Sequence, residues 1–403
     1  MRILVYEHLS SGAFHDRTLD AEVLCEGYAM LNSLTSEFKS QGHNVTVLLD
    51  YRLAKSALPL EADKVIVVSE RHLSVLKKTI SSVDATLVIA PESEDNLKSI
   101  VSIVENSSVQ SLNCSSQAIE VLSNKNLVYD QLKNHGITIP QIAVFDSKDQ
   151  IKEIKKVIKQ EFNFPVIIKP AVGEACNGII KVKKYDQIEN SVNKVTNKVQ
   201  MKILVQEYVE GINTSVSLIS NGKNSYPISL NYQDIELKSS VDCSKYKGGI
   251  TPFENPLKMK AFETAKKAVK VFDGIKGYVG LDLVIADDKV FFLEINPRPT
   301  TSIIGVRKTI KENLGNLIIE ACLEKDLPNY IHTKGISIFS KRITFLKNHR
   351  SFEKTLKIRE IISPPFMIEK NSPQCAMIQT EGNTFEEAHL KFSKIEERLD
   401  KLS

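Results

Sequence analysis

The segment FFLEINPRPTTS, residues 291–302, brings a carboxylate, a carboxamide and a guanidinium close together in the chain. Glu294 and Asn296 are two positions apart, so both project from one face of a β-strand, and Arg298 follows at once. Carboxylate and amide oxygens, with no nitrogen or sulfur ligand among them, suit magnesium better than zinc. The segment therefore predicts a magnesium site at the end of a strand.

The strand before it, GYVGLDLVIA at 277–286, supplies a second carboxylate. If residues 281, 283 and 285 share a core with 295, 293 and 291, then Asp282 lies opposite Glu294, about 5 Å away at Cβ. This register requires a three-residue turn at 287–289. Facing carboxylates repel each other unless a cation or a shared proton lies between them. We therefore predict that Asp282, Glu294 and Asn296 ligate magnesium; the alternative is that the acids are simply solvated.

A lysine and a glycine-containing loop form a second candidate site. Lys169 ends the apolar run PVIIK, and the loop 171–178, AVGEACNG, follows it. A lysine at a strand end suits phosphate, and the backbone N–H groups of such a loop can also donate to it. Gly173 and Gly178 have the spacing of a Walker loop, but isoleucines stand where its Lys-Ser/Thr pair would be. The alternative is an ordinary hairpin turn beside a solvated lysine.

Composition excludes several classes of protein. The chain has 403 residues, 42% hydrophobic and 25% charged, which is typical of a soluble globular protein. Its net charge of +4 is too small to imply nucleic-acid or membrane binding. The six cysteines form no CxxC pair, which argues against structural zinc and for a reducing compartment. With no signal-peptide pattern and no long apolar run, we expect a cytoplasmic protein.

The order of predicted elements indicates an α/β chain in three parts. Residues 1–112 alternate short β-rich runs with amphipathic helices, which predicts a Rossmann-like parallel sheet. Its first loop holds only Gly12 where a dinucleotide fold shows GxGxxG, so a nicotinamide dehydrogenase is a weak alternative. Residues 113–333 mix helices and strands in two lobes that divide near 208. Residues 334–403 read as a small β-rich extension.

A polar stretch, residues 236–256, has no clear period and predicts a long loop. Such loops often carry specificity. Gly248 and Gly249 would permit close backbone approach to a ligand. We predict that this loop forms the side of the site that binds the acceptor substrate. The substrate-contacting residues would be Asn231, Gln233, Tyr246, Gly248 and Gly249.

Together these motifs resemble the ATP-grasp family of carboxylate–amine ligases. The resemblance rests on five segments: SNKNLVYDQLKNHGITIP (123–140), FPVIIKP (164–170), LVQEYVEG (204–211), GLDLV (280–284) and LEINPRP (293–299). It covers about residues 1–330 and implies a Rossmann-like pre-ATP-grasp domain followed by a two-lobed ATP-grasp domain. The pair of strands with Asp282, Glu294 and Asn296 is its most specific part.

The resemblance implies a role for each matching residue. Lys125 and Lys169 would bind phosphates, with Gly173 and Gly178 in a loop above them. The hinge beside the adenine would be Gln206, Glu207, Tyr208 and Val209. Arg298 would reach the phosphoryl groups or an acyl-phosphate, and the cofactors would be ATP and Mg²⁺, with Mn²⁺ as a substitute.

The sequence departs from the family pattern at two positions. Many relatives have an acidic residue two positions after the hinge glycine, bound to the ribose; here it is Asn213, so that role passes to Asn213 or Glu210, or is lost. Some relatives have an arginine two residues before the first metal ligand. Here it is Gly280, which shifts oxyanion stabilisation onto Arg298.

A further set of motifs is similar to an archaeal branch of the family that joins the γ-carboxylate of glutamate to tyramine. These motifs are EH with a Ser/Gly loop (7–12), IAPE (89–92), LNYQDI (230–235), YKGGITP (246–252) and NPRPTTSI (296–303). The resemblance implies an ATP-dependent ligase with two small-molecule partners, a carboxylate and an amine, and allows a homodimer. The main alternative is a non-catalytic nucleotide-binding regulator on the same scaffold, which the intact set of lysines, acids and arginine disfavours.

Overall fold

The computed structural model describes residues 1–54, 56–146, 151–171, 178–196, 202–238, 244–328, 330–346, 349–368 and 373–402. Its strands are β1 Arg2–Glu7, β2 Asn44–Asp50, β3 Lys64–Val68, β4 Ala85–Ile89, β5 Gln110–Ser111, β6 Ile142–Phe145, β7 Val166–Pro170, β8 Ile180–Val182, β9 Ile203–Glu207, β10 Ile212–Asn221, β11 Ser225–Glu236, β12 Lys245–Thr251, β13 Lys276–Ala286, β14 Lys289–Asn296, β15 Ile336–Thr344, β16 Ile361–Ser363 and β17 Gln374–Gly382.

The α-helices are α1 Ala21–Ser40, α2 His72–Ile80, α3 Asn96–Glu105, α4 Ser116–Ser123, α5 Lys125–Asn134, α6 Ile151–Glu161, α7 Ile188–Thr196, α8 Lys258–Lys270, α9 Ile303–Thr309, α10 Leu314–Cys322, α11 His349–Thr355 and α12 Phe385–Asp400. Two short 3-10 helices cover Ser93–Asp95 and Tyr185–Gln187. Across the described ranges, no helix combines the length and the apolar character needed to span a membrane.

The N-terminal part is a five-stranded parallel sheet in the order β3-β2-β1-β4-β5. This confirms the predicted α/β fold with a Rossmann-like first part. Because the strands are parallel, the carboxyl ends of β1 and β4 meet at one edge of the sheet, where such folds bind ligands. Glu7 ends β1, and Glu92 lies three residues beyond the end of β4.

Helix α1 is buried along most of its length. Its N-cap is Asp20, whose side chain accepts hydrogen bonds from the backbone N–H groups of Glu22 and Val23. Helices apolar on several faces lie inside a protein. Accordingly, α1 packs on the first sheet and also against α9, α10, β16 and β17. It therefore joins the N-terminal part to the C-terminal part.

Residues 116–134 form two helices, α4 and α5, that meet at Asn124. The side chain of Asn124 accepts a hydrogen bond from the N–H of Leu127 and caps α5, because asparagine competes well for this position. Lys125 is thereby the first residue of α5. Leucine and valine lie on both sides of Asn124, so the apolar pattern of the sequence does not show where one helix ends and the next begins.

Two antiparallel sheets form the rest of the chain. The first has four strands in the order β6-β9-β7-β8, and the second has eight in the order β14-β13-β10-β11-β12-β15-β17-β16. The strands of the C-terminal extension continue the larger sheet, because β15 pairs with β12 from Gly248↔Ser340 to Thr251↔Ser337. The predicted loop at 236–256 is therefore wrong in part: residues 245–251 are a strand.

Candidate functional site

The β13–β14 hairpin brings the predicted metal ligands together, by a route different from the predicted one. Asp282 lies opposite Glu294, as predicted. The turn, however, has two residues, since Ala286 pairs with Lys289. A β-bulge at Leu293 then shifts the register by one residue and restores the pairing of the acids.

The bulge also changes which side chains enter the core. Val290 and Phe292 are buried, whereas Phe291 and Leu293, predicted to be in the core, are only partly buried. The turn accommodates this because Asp287 adopts a left-handed backbone conformation with φ of 51°. The prediction of the pairing was right, and the prediction of the turn and core face was wrong.

The two carboxylates are surrounded by amide and ammonium donors. Gln233 Nε2 donates to Asp282 Oδ1 at 2.9 Å, and Asn296 Nδ2 donates to Asp282 Oδ2 at 3.2 Å. Lys125 Nζ lies 3.3 Å from Glu294 Oε1. Burial, together with repulsion from Glu294, raises the pKa of Asp282 to about 6. This arrangement favours a cation between the acids.

The chemistry of these donors fits magnesium. Asp282, Glu294 and the Oδ1 of Asn296 offer oxygen ligands, while no group of three or more His, Cys, Asp or Glu in the described ranges could hold a metal by itself. Magnesium is commonly held by one or two carboxylates and completes its shell with water and substrate phosphates. The hairpin therefore fits Mg²⁺ that is shared with a nucleotide, and does not resemble a closed structural metal site.

Two buried lysines face the same region. Lys125 starts α5 and Lys169 lies on β7; the exposed fractions of the residues are 8% and 5%. Lys169 Nζ is 3.4 Å from the hydroxyl of Tyr129, which itself donates to the backbone carbonyl of Leu293 on β14. Tyr129 thus connects the lysine to the metal-binding hairpin. Two ammonium groups at one cavity suit phosphate binding, because lysine binds phosphate as a point charge.

Arg298 is held by Glu92 in a two-pronged ion pair. Arg298 Nε and Nη2 each lie 3.0 Å from a carboxylate oxygen of Glu92. Both side chains are nearly buried, with exposed fractions of 13% and 11%. The planar fork of arginine matches a carboxylate in this geometry, so the pair fixes the guanidinium plane. A carbon added at Gly280 would lie 2.4 Å from Thr300 Cγ2, so Thr300 fills the space beside Gly280.

The residues predicted to form the nucleotide hinge lie on or next to β9, in the four-stranded sheet. Gln206 is buried beside the Tyr129 hydroxyl, and Glu207 accepts a hydrogen bond from the N–H of Gln141. Lys181 Nζ stacks 3.4 Å above the ring of Tyr208. Val209 follows in the loop, and Asn213 pairs with Val284 on β13. None of these residues lines the cavity described below, so their nucleotide roles remain predictions.

Only the two ends of the predicted phosphate loop, Ala171 and Gly178, lie within the described ranges. Gly173 is outside them. Gly178 has a positive φ of 78°, which favours glycine, and it packs beside the ring of Pro170.

The predicted acceptor residues divide into two groups. Gln233 and Tyr246 line the cavity. Asn231 does not, because it is fully buried and its amide donates to Ser215 and Ser217 on β10.

The two glycines that were predicted to contact a ligand pack closely against neighbouring strands. Gly248 and Gly249 lie in β12, away from the cavity lining. A carbon added at Gly248 would lie 2.1 Å from the Phe339 carbonyl oxygen. One added at Gly249 would lie 2.5 Å from the carbonyl oxygen of Tyr232. Close contact with neighbouring strands therefore explains this pair.

The site residues converge on a cavity of about 210 Å³ between the N-terminal part and the two antiparallel sheets. Its polar lining includes the predicted Lys125, Lys169, Gln233, Tyr246, Asp282, Glu294, Asn296 and Arg298, and also Glu7, Glu26 and Thr301. Apolar side chains such as Val23, Met30 and Ile235 cover much of the rest. Cations, paired acids and an apolar wall thus share one cavity, as expected of a small-molecule site.

Glu7 is a cavity residue to which the sequence analysis assigned no role. It accepts hydrogen bonds from the N–H groups of Leu9 and Ser10 and from the Ser10 hydroxyl. Burial raises the pKa of Glu7, against the effect of these donors. Its position at the carboxyl end of β1 was a usable signal, as was that of Glu92 near the end of β4.

Glu26 is a second cavity carboxylate with no assigned role. It extends from α1, and its partners are Lys341 on β15 and Thr301. No local pattern could have identified it, because 315 residues separate it from that lysine.

Comparison with known proteins gives two family matches. The family described as "ATP-grasp domain" matches residues 122–302, and "pre ATP-grasp 3 domain" matches residues 43–119. The tyramine–L-glutamate ligase of Methanocaldococcus jannaschii is 30% identical over 330 residues, which is 81% of this chain and 90% of that protein. The ligase of the same name from Methanocaldococcus fervens is 32% identical over 340 residues, 83% of this chain and 99% of that protein.

Solved structures share the fold. A putative ATP-grasp superfamily protein from Archaeoglobus fulgidus is 22% identical with a TM-score of 0.64, and the match covers 94% of this chain and 99% of that one. An L-amino acid ligase from Bacillus licheniformis is 14% identical with a TM-score of 0.68, covering 98% and 97%. At these identities the likeness concerns the fold alone.

Proposed function

Because the chain belongs to the ATP-grasp family, we propose that it is an ATP-dependent ligase that joins an amino-acid carboxylate to an amine. The observation that carries this proposal is the cavity, where Lys125, Lys169 and Arg298 face the paired acids Asp282 and Glu294. These three cationic side chains and the pair of acids suit phosphoryl transfer, because that reaction depends mostly on positioning and charge neutralisation. Glutamate and tyramine are the substrates that the relatives' names suggest.

In the proposed reaction, an oxygen of the substrate carboxylate takes the γ-phosphoryl group of ATP, and ADP leaves. The amine then attacks the carbonyl carbon of the acyl-phosphate, the C–O bond to phosphate breaks, and the amine loses a proton to give the amide. Lys125 and Lys169 would hold the ATP phosphates, and Arg298 would neutralise the acyl-phosphate. Mg²⁺ held by Asp282, Glu294 and Asn296, or Mn²⁺ in its place, would neutralise phosphate charge.

A screen of amino acids against amines tests the proposal. We expect ADP and phosphate release only when ATP, an acid and an amine are all present, and the amide product in equal amount. Glutamate with tyramine is the first pair to test, with product identified by mass spectrometry. Nucleotide binding without turnover for any pair would instead support the non-catalytic regulator.

The Glu92→Gln variant should be impaired in catalysis more than in ATP binding. Loss of one charge weakens the two-pronged pair with Arg298, so the guanidinium is less well oriented. We expect a fall in kcat of about 10- to 100-fold, as is common when an orienting partner is lost. The Michaelis constant for ATP should stay within about twofold. Steady-state phosphate release measures both.

Glu94→Gln is the matched control for Glu92→Gln. Glu94 lies two residues away in sequence, and its side chain is 67% exposed. Its ion pair with Arg17 is long, with 3.8 Å between the charged atoms. Such exposed pairs contribute little. An equal effect in both variants, or none in Glu92→Gln, would contradict a role for Glu92 in orienting Arg298.

The Tyr246→Ala variant should lose affinity for the amine. Tyr246 lines the cavity and is only 9% exposed, so its ring offers an apolar surface to an aromatic amine. We expect the Michaelis constant for tyramine to rise about tenfold, and that for ATP to change little. Gln233→Ala should behave differently, because Gln233 binds Asp282 and its loss should lower kcat. Identical profiles for the two variants would move the amine site elsewhere.

A further inference from the structure

The C-terminal extension contributes a charged side chain behind the cavity wall. Lys341 lies on β15, beyond the residues that the family models cover, and its side chain is 8% exposed. Its Nζ is 2.6 Å from Glu26 Oε1 and 3.6 Å from Glu22 Oε2, and it lies 5.9 Å from the centre of the Tyr246 ring. Lys341 therefore contacts α1, lies near Tyr246 on β12, and is linked to Thr301 through Glu26.

Glu26 is fixed at both of its carboxylate oxygens. Lys341 binds Oε1, and the Thr301 hydroxyl donates to Oε2 at 2.8 Å. Burial disfavours the charged form of Lys341, but the Glu26 and Glu22 carboxylates outweigh this and raise the pKa of Lys341. Glu26 therefore lines the cavity with both of its carboxylate oxygens held by protein partners.

A second carboxylate, Glu7, lines the same cavity. It lies against the next residue of α1, because a carbon added at Gly27 would lie 2.6 Å from the Glu7 carboxyl group. Glu22 belongs to the same group and also binds Lys245 at 2.6 Å. With Arg298, whose charge acts on Glu7, and its partner Glu92, the group has four carboxylates (Glu7, Glu22, Glu26 and Glu92) against three cations (Lys245, Lys341 and Arg298). One more positive charge at the cavity surface would balance them.

We propose that Glu26 and Glu7 receive the α-ammonium group of the amino-acid substrate, and that Lys341 is the positioning residue that holds Glu26 for this contact. The inference rests on the proposed ligase function and adds the part of the acyl donor that is selected. A buried carboxylate fixed in this way favours a substrate with an ammonium group over an analogue that lacks it. The extension thereby takes part in substrate selection.

The test compares an amino acid with its des-amino analogue. For the acid that supports the fastest phosphate release, kcat/KM is measured with and without the α-amino group; for glutamate the analogue is glutarate. The wild-type protein should prefer the amino acid by about 100-fold or more. The Glu26→Gln variant should lower this ratio by at least about tenfold, since it loses a charge-assisted contact.

Lys341→Met should lower the same ratio about five- to tenfold through the KM of the amino acid, as expected when a supporting residue is removed. The kcat value and the KM for ATP should stay within about twofold. Lys341→Arg should restore most of the preference because it keeps the charge. Adding Lys341→Met to Glu26→Gln should cause no further loss, because the two act as one unit.

Arg342→Met is the matched control. Arg342 is the next residue of β15, but its side chain is 39% exposed and pairs with Asp400 and Glu396 on α12. It should leave the ratio unchanged. If Lys341→Met fails to fold, the electrically neutral pair Glu26→Gln/Lys341→Met and the Lys341→Arg variant carry the test.

The possible outcomes separate the two hypotheses. An active wild-type protein that uses the amino acid and its analogue equally, or a Lys341→Met variant with an unchanged ratio, overturns the inference and leaves the ligase proposal standing. A change of kcat and every KM by the same factor also overturns it, since that is the effect of a structural role. Absence of phosphate release with every acid and amine overturns the proposed function itself.

Discussion

The Glu294→Gln variant is expected to lose at least about 10³-fold in phosphate release while it folds normally, because a metal ligand contributes several kcal/mol to charge stabilisation. The substitution keeps shape and removes one of the two facing carboxylates. Stability should change by about 1 kcal/mol or less, because relief of the repulsion between Glu294 and Asp282 offsets the weaker contact with Lys125. Phosphate release and thermal unfolding measure the two effects.

Asp288→Asn is a suitable control for Glu294→Gln. It makes the same kind of substitution in the exposed turn of the same hairpin. It should retain wild-type turnover. Turnover near the wild-type rate in Glu294→Gln would remove the hairpin from the metal site.

The Lys169→Ala variant should bind ATP about 10- to 150-fold more weakly. A hydrogen bond to a charged group contributes about 1.5–3 kcal/mol, and Lys169 is 5% exposed at the cavity edge. Lys169→Met keeps most of the buried stem, so it separates loss of charge from loss of packing. Equilibrium nucleotide binding measures the effect.

Lys183→Ala is the control for this lysine. Lys183 lies on the same lobe just after β8, and its side chain is exposed. Its loss should leave ATP affinity unchanged. Equal ATP affinity in Lys169→Met and the wild-type protein would mean that Lys169 has only a structural role beside Tyr129.

The hairpin indicates how far the sequence alone can lead. The pairing of Asp282 with Glu294 was predicted from burial, yet the turn and the core face were wrong. The run Val290-Phe291-Phe292-Leu293 is apolar throughout, so alternation cannot locate a bulge within it. A shorter turn and a bulge compensate for each other, and the acids meet in either case.

The parts of the site that could not be predicted depend on contacts between distant residues. Glu26 and Lys341 meet only because α1 packs against the C-terminal strands of the large sheet. Similarly, Gly248 and Gly249 suggested a ligand loop. Gly248 is constrained by the carbonyl of Phe339, about 90 residues later in the chain, and Gly249 by the carbonyl of Tyr232. Residue types indicate that a glycine or a charge is needed, but only the tertiary structure indicates its partner.

The most direct test of the acyl-phosphate mechanism follows the carboxylate oxygens. The acid substrate is labelled with ¹⁸O in the reacting carboxyl group, and the phosphate released in the complete reaction is analysed by mass spectrometry. The mechanism predicts one ¹⁸O atom in each phosphate, because the C–O bond breaks when the amine attacks. Unlabelled phosphate, or the formation of AMP and pyrophosphate, would contradict it.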